Sequence, residues 1–228
     1  MYDTPAPNTA PAAAGDPTTV PDLSAYRAAH SALRASATAL ADALRTVRPD
    51  DRRRVAALQR WFTGYRAELE IHHRNEDELF FPALDARVPA YGQYRAAMDA
   101  DHHRLDETMN ALSRSLDDGD VAGAAAAADV LDRELADHLT VEDSDVLPMF
   151  ERHFSADEYA VLDAAAIRSV PLRHAFFTVP WFVATAPADT AARVLADAPV
   201  AMRIVERLTR RRYARLVAAA FGTPGGRS

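Results

Sequence analysis

The chain has 228 residues, 49% of them apolar and 26% charged, the balance of a globular domain with room for one sizeable core and an extension. Cysteine is absent, which excludes disulfides, iron–sulfur clusters and thiolate zinc sites, so any metal must be held by nitrogen and oxygen. A net charge of -7 argues against a general nucleic-acid binder.

Residues 1–20 are Ala, Pro and Thr with little else and read as a disordered tail. They carry neither the basic start nor the apolar centre of a secretory signal, and the longest apolar run, Ala175–Ala186, contains Pro180 and is too short to span a bilayer. A cytoplasmic protein is therefore expected. From Pro21 to about His153 the pattern is helical throughout, with no β-type alternation. The first helix is predicted from about Asp22 to Val47, ending before Pro49. Asp50 is suited to cap the second, which continues past Glu76 to the region of Pro82. The third is predicted between Pro89 and Leu116. Asp117-Asp118-Gly119-Asp120 makes a turn, and the fourth runs from Val121 to about His153.

Each segment has an apolar seam in steps of three and four, as bundle helices require. The seams are Leu23, Tyr26, His30, Leu33, Ala37, Leu40, Leu44, Val47; Leu58, Phe62, Tyr65, Leu69, His72, Glu76, Leu79, Ala83; Met98, His102, Leu105, Met109, Leu112, Leu116; and Leu131, Leu135, His138, Glu142, Asp145, Met149. Apart from Asp145 in the fourth, each is apolar except at one point, where it carries a His, followed in the second and fourth by a Glu one turn later. Two stretches are copies of one pattern: His72 with Glu76-Asp77 and then Pro82, and His138 with Glu142-Asp143 and then Pro148. A His and a Glu four apart stack on one helix face. A lone seam His is more often a hydrogen-bonded core residue than a ligand. A buried imidazole over a buried carboxylate, built twice, is costly unless something positive sits between them, and a pair of metal ions is the simplest such object.

The doublets must be resolved by the seam. His102 aligns with Met98 and Leu105, whereas His103 lies on the polar stripe of Asp99 and Asp106. His72 aligns with Leu69 and Tyr65, whereas His73 is turned about 100° away. His72 and His102 are preferred, and either neighbour remains an alternative. Asp143 is off-face in an unbroken helix. Tyr26 and Tyr65 lie one and two turns before His30 and His72 and suit either packing or contact with the site. Glu68, one turn before His72, suits solvent or the second ring nitrogen of that His. The two prolines suit a kink or a helix exit.

These residues resemble the hemerythrin-like, HHE cation-binding family: His30, His72-x-x-x-Glu76 with Leu-Phe-Phe-Pro, Asp101-His102-His103-Arg104-Leu105, and His138-x-x-x-Glu142 with Val-Leu-Pro, over about residues 22–153. The resemblance implies an all-α, up-down-up-down four-helix bundle around two non-haem iron ions, bridged by carboxylates and an oxo or hydroxo group. The ligands carried over are His30, His72, Glu76, His102, His138 and Glu142; manganese and zinc suit the same donors. Oxygen-carrying members have a second His in the third helix, where this chain has Met98 and Asp106, as HHE-type relatives commonly lack it. That points away from reversible oxygen carriage. It leaves peroxide, nitric oxide or oxygen handling under oxidative stress, with catalase-like or nitric-oxide-related turnover, or else an oxygen or iron sensor. The expected partner is a small diatomic or peroxide ligand, with no nucleic acid and no membrane.

Beyond the bundle, Ser155-Ala156-Asp157-Glu158 reads as a capping box. Pro171, Pro180, Pro187 and Pro199 are expected to punctuate short helices up to about Phe221, with Phe176, Phe177, Trp181 and Phe182 as an apolar cluster. This extension, residues 154–222, is expected to pack on the outside of the bundle, a lid or a homodimer surface being alternatives. The arginines from Arg203 to Arg215 read as a solvated basic face. His153 and His174 lack a Glu at helical spacing and are left out of the site.

Overall fold

The computed structural model describes residues 19–222, and all the regular structure among them is helical. Most of the expected tail lies outside the described residues. Helices α1 (Ser24–Thr46) and α2 (Arg52–Asn75) are followed by a π-helical turn, Glu76–Phe80, that leads directly into α3 (Phe81–Arg87). After a 3-10 turn at Pro89–Tyr91 comes α4 (Gly92–Asp117). Then α5 (Val121–Val141) runs through a second π turn, Glu142–Val146, into α6 (Leu147–His153). The cap of α2 is Asp51, not Asp50: its carboxylate accepts from Arg54 N at 3.0 Å, while Asp50 pairs with Arg48. Gly119, at φ 73°, makes the turn before α5, and Asp120 caps that helix through Gly123 N.

The two π turns correct the predicted seam. Phe81 N–H donates to Glu76 O, and Leu147 N–H to Glu142 O, each five residues back. A five-residue ring holds one residue more than an α-turn and rotates everything after it by one position. Phe80 and Leu84 are therefore buried where periodicity pointed to Leu79 and Ala83, and Val146 where it pointed to Asp145. Pro82 and Pro148 follow the turns without ending either helix. Each sits in the first turn of its new segment, where a missing N–H costs little.

Helix α1 packs on α2 and α5, and α4 packs on the same two, closing a ring of four. Its interior holds two apolar clusters. One contains Leu33, Leu40, Leu58, Leu69, Leu105, Met109, Leu131 and Leu135. The other contains Tyr26, Phe80, Leu84, Met98, Val146 and Phe150. The His and Glu positions fall at the junction of the two clusters.

The extension comprises α7 (Ala156–Ser169), α8 (Leu172–Thr185), α9 (Ala188–Asp197) and α10 (Val200–Phe221). The capping box at Ser155 and Glu158 forms as read. Pro180 does not punctuate the chain; it lies inside α8. Helices α8 and α10 lie on α1 and α2, with Trp181 and Tyr213 sharing the first cluster. Trp181 Nε1 donates to Ser36 Oγ at 2.9 Å, and Trp61 Nε1 to Tyr213 Oη at 3.2 Å. Gly64 permits the closest approach, since a Cβ there would lie 2.2 Å from the ring of Phe177. Phe176, expected in the apolar cluster, is instead 53% exposed. The arginines of α10 from Arg203 to Arg215 are exposed, as read. No helix among the described residues is long and apolar enough to cross a membrane.

Candidate metal centre

All six residues expected at the site, His30, His72, Glu76, His102, His138 and Glu142, converge between the two apolar clusters, and His73 joins them. Their ring nitrogens and carboxylate oxygens form two groups, His73, Glu76, His102 and His138 on one side and His30, His72, Glu76 and Glu142 on the other, each with its atoms within 4.8 Å. Glu76 belongs to both. Its Oε1 lies 3.0 Å from His72 Nε2 and 4.0 Å from His30 Nε2, and its Oε2 lies 3.4 Å from His102 Nε2. Glu142 Oε1 is 3.4 Å from His138 Nε2 and Glu142 Oε2 is 3.4 Å from His30 Nε2. His103 is exposed and takes no part, and neither His153 nor His174 joins either group.

Seam periodicity turned His73 away because it allows each helix one inward face. Helix α2, however, touches both α1 and α4. Two successive positions, about 100° apart, then face different neighbours. His72 meets the ring of His30 at 5.0 Å between centroids, and His73 stacks on His102 at 4.1 Å. The His-His doublet was the available signal; which helices abut α2 was not.

Each Glu-Asp pair is divided between two tasks. The Glu faces the interior, and the following Asp, set by the π turn, holds an imidazole of another helix. His102 Nδ1 donates to Asp77 Oδ1 at 2.9 Å, and His30 Nδ1 to Asp143 Oδ1 at 2.8 Å. A carboxylate can only accept, so both rings carry a proton on Nδ1 and turn Nε2 inward, the orientation a metal ligand needs once Nε2 has shed its proton. Arg34 in turn holds Asp143 at 2.7 Å. Asp143 thus acts on the site despite its off-face position. Tyr26 donates its hydroxyl to Glu76 Oε1 at 2.5 Å. Tyr65 serves the fold instead, donating to the Leu33 carbonyl at 3.0 Å. Glu68 is buried and accepts from Thr178 of α8.

The electrostatics of the protein atoms alone are unbalanced. Burial works to raise Glu76, but the imidazoles of His72, His102 and His30 outweigh it and hold this carboxyl well below its usual range. Burial, with the charge of Glu76, pushes Glu142 well above it. Burial works against a charged His102, yet Asp77 and Glu76 lift it to about 9. Burial takes His138 down to about 4 and His73 well below the usual imidazole value.

Buried atoms without a hydrogen-bond partner collect at this one spot. Among the described residues they are His30 Nε2, His72 Nε2, both nitrogens of His73 and of His138, His102 Nε2, Glu76 Oε2 and both oxygens of Glu142, with only His174 Nδ1 elsewhere. At roughly 1–3 kcal/mol per orphaned group, ten such atoms would offset the whole net stability of a domain, about 5–15 kcal/mol. Nitrogen and carboxylate donors aimed at two common points are the complement of two cations, and the residues fit that group. The sequence model of one family, described as Hemerythrin HHE cation binding domain, matches residues 22–150. No curated protein and no solved structure matches the chain.

Proposed function

Given that this chain belongs to the hemerythrin HHE cation-binding domain family, we propose that it is a non-haem di-iron protein that handles a small oxidant or gas (peroxide, nitric oxide or oxygen) at a carboxylate-bridged centre. The single observation that carries this reading is the convergence of the orphaned nitrogens and oxygens on two points that share Glu76. His73, His102 and His138 would hold one ion and His30, His72 and Glu142 the other, with Glu76 available to both. The bundle is read as up-down-up-down over residues 22–153. In support, Tyr26 and Met98 of the second cluster precede the site on α1 and α4, whereas Phe80, Leu84, Val146 and Phe150 of that cluster follow it in the helical segments that continue α2 and α5.

Bound iron would supply one-electron steps between its ferrous and ferric states and an open position for a small ligand. The protein supplies the rest. Asp77 and Asp143 fix the two imidazoles they hold. Tyr26 pins one oxygen of Glu76 and places an O–H against the centre, from which it can donate to a carboxylate or to an incoming ligand. The buried side chains of Phe80, Met98 and Leu105 keep the surroundings of the site apolar, which slows leakage of reactive species. The protein is assigned to the cytoplasm, without a nucleic-acid or membrane partner, and the extension is its candidate homodimer surface.

A second reading is an oxygen or iron sensor without turnover. The observation favouring it is that α8 and α10 lie on α1 and α2, the helices that carry His30 and His72, with Thr178 bonded to Glu68 one turn before His72. Metal analysis with ultraviolet–visible spectra in both oxidation states tests the common premise. About two irons per chain are expected, with near-ultraviolet charge-transfer bands. His73→Ala should lower the iron content and His103→Ala should leave it unchanged. Absence of iron would refute both readings. Oxygen release from peroxide that is lost in His72→Ala separates turnover from sensing.

A further inference from the structure

The imidazoles His73 and His102 also form the inner wall of a cleft of about 180 Å³ that opens between α2 and α4. Its other lining residues are Glu70, Asp77, Glu78 and Asp106, with Arg74 as the one arginine. Glu70, Glu78 and Asp106 are exposed. His73 is 4% exposed, and both its ring nitrogens lack a hydrogen-bond partner, as does Nε2 of His102. The cleft thus grades from exposed carboxylates to enclosed, unpartnered nitrogens. In the other half His30 and Glu142 are 0% and 1% exposed, and His72, though part-exposed, turns a buried Nε2 to the centre.

We propose that this cleft is the entry vestibule for the metal, in which the carboxylates of Glu70, Glu78 and Asp106 attract a hydrated divalent cation and deliver it to the free nitrogens of His73 and His102. The inference rests on the metal-centre reading above and adds to it a route and an order: the three-imidazole half fills from solvent. The volume admits a cation with part of its water shell, since one water occupies roughly 30 Å³. A cleft lined by one sign of charge between low-dielectric walls concentrates the opposite ion and raises its entry rate by about 10–10³. Carboxylate oxygens suit a hydrated divalent ion at the mouth, and imidazole suits the same transition metal once it sheds water. Asp77 lines the cleft as well but already holds His102, so it is counted with the centre. Arg74 opposes entry. Arg66, which pairs with Glu70 at 2.6 Å, leaves Glu78 and Asp106 as the stronger attractors.

The test is stopped-flow uptake of Co²⁺, a redox-silent probe read by its visible bands, into full-length metal-free protein. In Glu70→Gln/Glu78→Gln/Asp106→Asn, uptake should slow on the order of tenfold and depend less steeply on salt, with the final cobalt content and spectrum unchanged. The single change Glu78→Gln, at an exposed position, should slow it about threefold and Arg74→Gln should speed it. Asp42→Asn/Asp129→Asn/Asp132→Asn, an equal change of net charge on α1 and α5, should leave the rate near that of the wild type. Uptake by the cleft variants within twofold of the wild type, or slowed equally by the α1/α5 variant, overturns the vestibule and leaves the metal centre standing. A lower final cobalt content or an altered spectrum in the cleft variants also overturns it, because those residues would then be holding the bound ion. Failure of the wild type to take up any cobalt overturns the metal centre and the vestibule together.

Discussion

Replacing Glu68 with Gln should stabilise the protein above neutral pH and do almost nothing in acid. Glu68 is 7% exposed, and its one recorded partner is the neutral hydroxyl of Thr178. Burial, only partly offset by that hydroxyl, lifts its pKa from 4.5 to about 7. The folded state then keeps a proton that the unfolded chain releases at about 4.5. Where the native state binds more protons, stability falls with rising pH, by about 1.4 kcal/mol per unit for one proton. The penalty is absent below pH 4.5, grows through the interval and is complete above pH 7, where it amounts to about 3 kcal/mol. An amide retains an acceptor for Thr178 and has no charge to desolvate. Urea unfolding of both proteins, matched for metal content, at pH 5 and pH 8.5 would measure it. The stability difference should widen from about 1 kcal/mol to about 3 kcal/mol across that range. A difference that stays constant with pH, or grows toward acid, would refute the argument that burial governs this carboxyl.

Asp143→Asn keeps the shape but loses the charged acceptor for His30 Nδ1, and should weaken binding of the metal by about 10–100-fold in a chelator competition. Gly64→Val would drive a side chain into the ring of Phe177; unfolding should lose about 1–3 kcal/mol, and proteolysis should reach α8 sooner. Tyr65→Phe removes the bond from the buried hydroxyl to the Leu33 carbonyl, which keeps its own bond within α1, and a cost of about 0.5–1.5 kcal/mol in unfolding free energy is expected with the metal content unchanged. Acidification should release metal because imidazole must be neutral to ligate, and dialysis at stepped pH followed by metal analysis would show the loss.

The helical period by itself determined the inward residues of α1 and α4: each seam position read there is buried, His30 and His102 among them. It also placed the His-x-x-x-Glu pairs of the second and fourth segments, because within one helix a separation of four residues fixes relative direction whatever surrounds it. Only the tertiary structure decided three further things. The π turns after Glu76 and Glu142 advance the seam by one residue, and a local period cannot register a change in its own phase. His73 became a member of the centre because α2 lies against two helices and so has two inward directions. Asp77 and Asp143 hold His102 and His30 across 25 and 113 residues of chain, contacts that exist only once the helices have chosen their neighbours. Periodicity carries a residue's direction from its own axis, whereas a metal site is defined by distances between axes, and those are set by packing.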